Sequence, residues 1–439
     1  MATAGIKEGT DVDDRYAVSK CPGPVHMSLR PPGSKSLTNR ALVCAALADG
    51  DSRLSGVLDS EDTRVMLKCL GQLGVPHTGN LAEGEITISG TAGQLAPGDH
   101  NLFVANSGTT MRFVACLAPL GRGRIHLDGI PRMRERPIRP LVEALRQLGI
   151  QARCSETGCP PVIVQANGFP GGQITIDSST SSQYLSGLLL AAPSAQGDVV
   201  LSVEGELASR PYLEMTVEVM KRFGVEVTET PNQGYVVKTE EAYCATDFAI
   251  EPDASAASYL LAIPAIVGGS VTVSGLSESS LQGDVGFVHC LARMGCQVEF
   301  GDNGITVTGR AVRGIDVDMN EISDTVQTLA AVALFVQGET VIRNVAHIRH
   351  KETDRIGNLA TELRKLGAKV EETADGLQIS PGTPTGAIIE TYGDHRMAMS
   401  LALAGLKIEG VLIDDPQCCE KTYPSFFADL ETILATATP

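Results

Sequence analysis

The chain has no tryptophan, and aromatic residues occupy only 4% of its 439 positions. Stacking platforms for single-stranded nucleic acid are built from aromatic side chains, so that class of function is excluded. Positive charge is scarce: 35 Lys and Arg stand against 52 Asp and Glu, a formal net charge of −17. Polyanions and anionic membrane surfaces select positive faces, so neither nucleic acid nor membrane is an expected partner. Long apolar runs are missing too. Tyr259–Val267 is among the longest, and a bilayer span needs roughly 20 residues. The eleven Cys are scattered singly apart from Cys418-Cys419, and no pair has CxxC spacing. This argues against a disulfide framework and a zinc site, and for a reducing compartment. Met1–Asp14 is acidic with no apolar stretch, unlike a secretory or transit segment. The expected setting is the cytoplasm.

What the chain does have is apolar material for a core, 43% of its residues, and 46 glycines with a regular placement. An apolar helix, a Gly and a short alternating strand recur, with the Gly at Gly50, Gly123, Gly197, Gly269, Gly338 and Gly410. Gly suits the left-handed position that closes a helix. A second marker runs out of phase: Leu73-Gly74, Leu148-Gly149, Phe223-Gly224, Met294-Gly295 and Leu366-Gly367. Both markers repeat about every 73 residues, which predicts six copies of a strand–helix–strand–helix–strand–strand unit. The sixth copy runs out of chain before its closing strands. The segment 17–30, with two strand-like stretches around Pro22-Gly23-Pro24, is expected to supply them. The resulting division is one lobe of units one to three (34–251) and a discontinuous lobe of 1–33 plus 252–439. Pro-marked crossovers lie at Pro31-Pro32-Gly33 and Glu251-Pro252-Asp253. Two lobes joined by two short hinges can close on a ligand.

Each unit's first helix opens on a polar cluster. In order these are Ser34-Lys35-Ser36 with Arg40; Asn106-Ser107-Gly108-Thr109-Thr110 with Arg112; Ser181-Ser182-Gln183; Asp253-Ala254-Ser255; Ser323-Asp324-Thr325; and Asp394-His395-Arg396. Helix capping accounts for the small polar residues. It does not account for Lys35 and Arg396, cations set against the positive end of a helix dipole. A bound anion would remove that cost. Two further stretches concentrate charge, Arg132-Met133-Arg134-Glu135-Arg136-Pro137 and His347–Arg355; a solvated loop is the plainer account of either taken singly.

In this order the clusters Gly33–Arg40, Asn106–Arg112, Arg132–Pro137, Ser181–Gln183, Lys351–Arg355 and Asp394–Ala398 resemble the 5-enolpyruvylshikimate-3-phosphate synthase family, over about Pro32 to Leu430. The resemblance implies an α/β fold (α+β in some schemes) of two lobes with three βαβαββ units each, which agrees with the repeat. It implies transfer of the enolpyruvyl group of phosphoenolpyruvate to the 5-hydroxyl of shikimate 3-phosphate, with no cofactor, no metal and a monomeric enzyme. By residue, it implies that Lys35, Gly108, Thr109, Arg136, Gln183, Arg355, Arg396 and Lys421 hold phosphoenolpyruvate. It implies that Lys35, Ser36, Arg40, Ser181, Ser182, Gln183, Ser209, Tyr212, Asp324, His347 and Lys351 hold shikimate 3-phosphate. Asp324 would take the 5-hydroxyl proton, and Glu352 and Lys35 would exchange protons with the methylene carbon. Asn106, Arg112 and His395 would support them. Glyphosate is the expected inhibitor, competing with phosphoenolpyruvate.

The chain departs from the commonest family pattern at three places. His347 stands where many members have Asn, Phe113 where many have Pro, and Ser107 where many have Ala. The sister family, UDP-N-acetylglucosamine enolpyruvyl transferase, uses a Cys in the loop before an Arg-Pro pair. Aligned on Arg136-Pro137, that position here is Pro131, and Cys116 sits in an apolar stretch better read as core. A non-catalytic anion-binding protein with a degenerate site would have lost Asp324, Lys35, Glu352 or Arg396; all are present.

Overall fold

The computed structural model describes residues 15–205, 207–230 and 234–437; the sequence reading of Met1–Asp14 lies outside them. Among the described residues the strands form six sheets, five of four strands and one of three. Unit two shows the common plan. Strand His100–Phe103 runs parallel to Arg122–Asp128, which pairs antiparallel with Val162–Asn167, and Gln151–Arg153 closes the far edge. A parallel pair needs a crossover, supplied by helix Gly108–Leu117. That inner helix is buried at every position, as is Ala254–Val267 of unit four. A helix apolar on all sides belongs inside. The outer helix Arg139–Gln147 buries only Leu141, Val142, Ala144 and Leu145.

The second set of marker glycines is left-handed throughout, with φ of 89° at Gly74, 78° at Gly149, 88° at Gly224, 117° at Gly295 and 93° at Gly367. In the first set Gly197 is the exception. The repeat in the sequence is therefore a repeat of one backbone event. Two separate cores follow from it. One runs from Leu37 to Ile250, the other joins Val18 and Val25 to residues from Ala254 to Ile433. The fold is the two-lobed, six-unit α/β architecture.

The N-terminal strands correct the sequence expectation in part. Tyr16–Ala17 does pair with Leu412–Ile413 of unit six. Val25–Leu29, however, lies parallel to Gly269–Val273 of unit four. The reason is an exchange at the crossovers. Val25–Leu29 precedes the first helix of unit one yet completes a sheet of the other lobe. Phe248–Ala249 precedes the first helix of unit four yet pairs in parallel with Leu54 and Ser55 of unit one. Each unit that begins at a crossover takes its parallel first strand from the segment entering the opposite lobe. The crossing strands run side by side: the Ser34 N–H donates to the Glu251 carbonyl at 2.8 Å, and the Asp253 N–H to the Pro32 carbonyl at 2.8 Å. Between them Gly33 and Pro252 form an antiparallel bridge. A Cβ at Gly33 would collide with the Gly56 carbonyl, so this position requires glycine. Among the described residues no helix is long and apolar enough to cross a membrane.

Candidate active site between the lobes

The first helices of the units begin where the lobes meet. Ser34, Ser107, Ser181, Asp253 and Asp394 each cap one, accepting from the N–H of Leu37, Thr110, Gln183, Ala256 and Arg396 respectively. Capping thus explains five of the six polar clusters, and in those it leaves the charged neighbours free for other work. Unit five differs. Ser323-Asp324-Thr325 lies in a 3-10 turn, Asn320–Thr325, whose Ile322 leaves helical geometry, and helix Val326–Ala333 has no side-chain cap. The Asp324 carboxylate is therefore available to the cleft.

Three carboxylates meet one guanidinium there. Arg355, 1% exposed, donates to Asp324 Oδ1 at 3.0 Å, Glu352 Oε2 at 2.8 Å, Asp394 Oδ2 at 2.7 Å and Asp394 Oδ1 at 3.2 Å. Arg396 donates to Asp324 Oδ2 at 2.7 Å and to the Tyr259 hydroxyl at 3.1 Å. The cation at the helix start is thus balanced by a carboxylate of the neighbouring unit. Burial alone would raise the Asp324 carboxyl, but Arg396, Lys351, Arg355 and Lys35 together hold it well below the usual carboxylate range. Burial likewise opposes ionisation of Glu352, and Arg355, Arg136 and Lys421 outweigh it, again to well below the usual range. Both are therefore proton acceptors at neutral pH. Burial and the surrounding cations push His395 well below its ordinary value, so its imidazole is neutral.

A second group joins the lobes through Asp62. Its Oδ1 accepts from Lys421 Nζ at 2.7 Å, and its Oδ2 lies 3.6 Å from Lys35 Nζ. Lys421 also donates to the Asn106 carbonyl at 3.1 Å, as does Arg136 at 3.0 Å. Arg136 lies 3.9 Å from Glu352 Oε1. A Cβ on Gly108 would stand 2.5 Å from Arg136 Nη2, so glycine lets the guanidinium lie against the helix start. Arg112 backs this arrangement, donating to the carbonyls of Gly108 at 3.3 Å and Pro137 at 2.9 Å.

The third group is polar rather than anionic. Arg40 donates to Thr216 Oγ1 at 2.7 Å and to the carbonyls of Ser36 and Tyr212, each at 3.0 Å. Burial lowers its guanidinium to about 10, with no carboxylate in contact. Its Cζ lies 5.4 Å from the centre of the Phe113 ring, so the residue that departs from the family pattern here serves as a platform beneath a cation. Ser107, the second departure, caps its helix, its Oγ 2.8 Å from Thr110 Oγ1. Ser209, held at φ 54°, places its Oγ 3.2 Å from His347 Nε2 and 3.0 Å from Ser323 Oγ. Burial, with Lys351 nearby, lowers His347 to about 3, leaving it neutral. Gln183 donates to Thr109 Oγ1 at 3.2 Å. Burial lowers Lys351, and Asp324 opposes that shift.

Apart from Ser181 and Ser182, which open one buried helix start, the site residues that the sequence singles out therefore fall into three connected groups at one seam. Ser181 differs in that its hydroxyl serves the cap of its own helix. Several residues of the seam were given no substrate or catalytic role by the sequence: Asp62, Asp253 (named there only as a helix start, its Oδ2 accepting from the Lys35 N–H at 3.1 Å), Asp284, Tyr259 and Asn320. Asp62 had a local signal, but an ambiguous one, because it sits in the first turn of a helix whose Ser60 forms a capping box. Acids are ordinary there.

The sequence pattern of the family "EPSP synthase (3-phosphoshikimate 1-carboxyvinyltransferase)" matches residues 20–430. A 3-phosphoshikimate 1-carboxyvinyltransferase of Nostoc punctiforme (strain ATCC 29133 / PCC 73102) is 48% identical over 406 residues, 92% of this chain and 95% of its own length. One from Vibrio atlanticus (strain LGP32) is 44% identical over 420 residues, 95% of this chain and 98% of its own. The solved structure of an EPSP synthase from Acinetobacter baumannii superimposes with a TM-score of 0.79 at 25% identity, covering 95% of this chain and 98% of that one. With the repeat, the two lobes and a family-wide match over nearly the whole chain in agreement, this chain belongs to the EPSP synthase family.

Proposed function

We propose that the protein transfers the enolpyruvyl group of phosphoenolpyruvate to the 5-hydroxyl of shikimate 3-phosphate, releasing phosphate, in the cleft between the lobes 34–251 and 1–33 plus 252–439. The observation that carries this reading is the seam itself. On a chain of net charge −17, Lys35, Arg136, Lys351, Arg355, Arg396 and Lys421 are gathered around Asp324 and Glu352. Such a set suits substrates that bring phosphates and a carboxylate.

In this reading Lys35, Arg136, Arg355, Arg396 and Lys421 neutralise phosphoenolpyruvate, with Gly108, Thr109 and Gln183 beside it. Ser36, Arg40, Ser181, Ser182, Gln183, Ser209, Tyr212, His347 and Lys351 receive shikimate 3-phosphate. Asp324, ionised and fixed on both oxygens, accepts the 5-hydroxyl proton as that oxygen bonds to C2 of phosphoenolpyruvate. Lys35, or Glu352 once the charge of bound phosphoenolpyruvate has raised it enough to carry a proton, delivers a proton to the methylene carbon, making it a methyl group. In the second step the methyl group returns a proton to the same base, the double bond re-forms, the bond between C2 and the phosphate oxygen breaks, and the phosphate leaves with the proton that Asp324 took from the 5-hydroxyl. General acid–base groups of this kind contribute roughly 10²–10⁴-fold, and cations fixed around a charged intermediate contribute comparably. The reaction needs no cofactor in this scheme, and the proposed setting is a cytoplasmic monomer.

The test is phosphate release from phosphoenolpyruvate by the purified protein. Release should require shikimate 3-phosphate, and UDP-N-acetylglucosamine should not replace it. Turnover with UDP-N-acetylglucosamine instead would overturn the assignment. Asp324→Ala should keep the fold and lose several powers of ten in kcat; near-normal turnover would remove Asp324 from the mechanism.

A further inference from the structure

Beneath Asp324 lies a second carboxyl group that the scheme above does not use. Asp284 sits in the short 3-10 turn Gly283–Gly286 and is 5% exposed. The Tyr212 hydroxyl, arriving from the opposite lobe, lies 3.1 Å from Asp284 Oδ2 and 3.0 Å from Asp324 Oδ2. A phenol has one proton to donate. Two such contacts in a row need two protons, so one must come from a carboxyl group. Asp324 cannot readily hold it, because Arg396 stands 2.7 Å from its Oδ2 and Arg355 3.0 Å from its Oδ1. The proton therefore belongs to Asp284. Ser255 donates to the same Oδ2, and the Asp284 Oδ1 has no partner among the described residues. A buried bare oxygen is costly on a carboxylate and tolerable on a neutral acid.

We propose that Asp284 is a positioning residue for the reaction: a neutral carboxylic acid that donates to Tyr212 and so keeps the Tyr212 proton directed at Asp324. The hydrogen bonds then run in one sense, Ser255 to Asp284 to Tyr212 to Asp324. Asp284 gains and loses no proton in turnover. Its function is to hold Asp324 ionised, in place and with a fixed set of donors. This rests on the reading of Asp324 as the acceptor of the 5-hydroxyl proton.

The groups facing Asp284 support its neutral form and set its limit. Burial comes first, followed by the charge of Asp324, and together with Asp253 they push the carboxyl up to about 7; Ser255 and Arg396 pull the other way. Tyr212 stays protonated, raised well above its ordinary value by burial and by the two acids. As pH rises through neutrality Asp284 ionises. The Tyr212 proton is then contested between two anions, and Asp324 faces a like charge through it. Activity should fall on that limb.

Asp284→Asn supplies a carboxamide N–H in place of the acid proton and cannot ionise. The expected result is a kcat within about tenfold of wild type at neutral pH and loss of the alkaline fall that Asp284 causes. Asp284→Ala removes the donor and should lower kcat more than it raises KM. Difference infrared spectra of the whole protein provide a readout independent of turnover. Wild type should show the C=O band of a protonated carboxyl that disappears as pH rises through neutrality and is absent from Asp284→Asn. An unchanged alkaline limb in Asp284→Asn, or no such band, overturns the proposal. The infrared band reports the hydrogen-bond chain alone, whereas turnover of Asp324→Asn tests the base assignment, so the two failures are distinguishable.

Discussion

Replacing Arg355 with Met keeps the side chain's bulk and removes a charge that three buried carboxylates share. Asp324 would keep Arg396 at 2.7 Å. Among the described residues, Glu352 would keep Arg136 at 3.9 Å with Lys421 beyond it, and Asp394 the N–H of Arg396 at 2.9 Å and a neutral His395 at 3.7 Å. Two carboxylates thus lose their close cation. Breaking a buried ion pair from one side costs about 3–5 kcal/mol. The cost should stay near that range rather than double, because one carboxyl can take up a proton in response. The pH dependence follows in sign. In the native protein Arg355 helps hold Glu352 well below its usual range. That stabilisation is present above the unfolded value and is lost as pH falls through the folded one. In the variant, burial without Arg355 raises the carboxyl, so acidification relieves the strain. The gap between the two proteins should be widest at neutral pH and narrow towards about pH 5. Urea unfolding followed by circular dichroism at both pH values measures it. A gap of about 1 kcal/mol or less at neutral pH, typical of an exposed pair, or one that widens on acidification, would refute the reasoning.

Gly108→Ala places a Cβ 2.5 Å from Arg136 Nη2; displacing that fork should raise the KM for phosphoenolpyruvate roughly tenfold or more while the shikimate 3-phosphate KM stays near wild type. Glyphosate should inhibit the wild-type enzyme competitively with phosphoenolpyruvate, as steady-state patterns will reveal. Asp62→Asn frees Lys35 and Lys421 from their shared carboxylate, and kcat/KM for phosphoenolpyruvate should fall about tenfold with little change in circular dichroism. Arg132 reaches across the seam to the carbonyls of Lys351 at 3.0 Å and Glu352 at 2.9 Å. Arg132→Ala should therefore expand the unliganded protein in X-ray scattering, and both substrates together should restore the compact profile.

Much of the fold is legible in the chain because a helix-closing glycine is a local event. Left-handed φ at Gly74, Gly149, Gly224, Gly295 and Gly367 comes from the same local cause each time. The exchange of first strands is not legible. Val25–Leu29 and Phe248–Ala249 are short, and nothing in their alternation names the sheet they will join. At the site, Lys35 and Arg396 stand out because a cation at a helix start goes against the dipole. Asp62 and Asp284 do not, because an acid near a helix start is unremarkable.

The sequence by itself determined the six units, the apolar inner helices and the excess of acid that turns polyanions away. Each depends on neighbours within a few turns of chain or on a simple count. Only the tertiary structure decided which charges neutralise which. Arg355 and Asp394, 39 residues apart, form one ion pair, and Lys421 and Asp62, 359 apart, form another. Asp284 and Asp324 share one tyrosine from the opposite lobe and so take different protonation states. Coulomb energy and proton sharing depend on distance in space, and in this chain the packing of two lobes sets those distances.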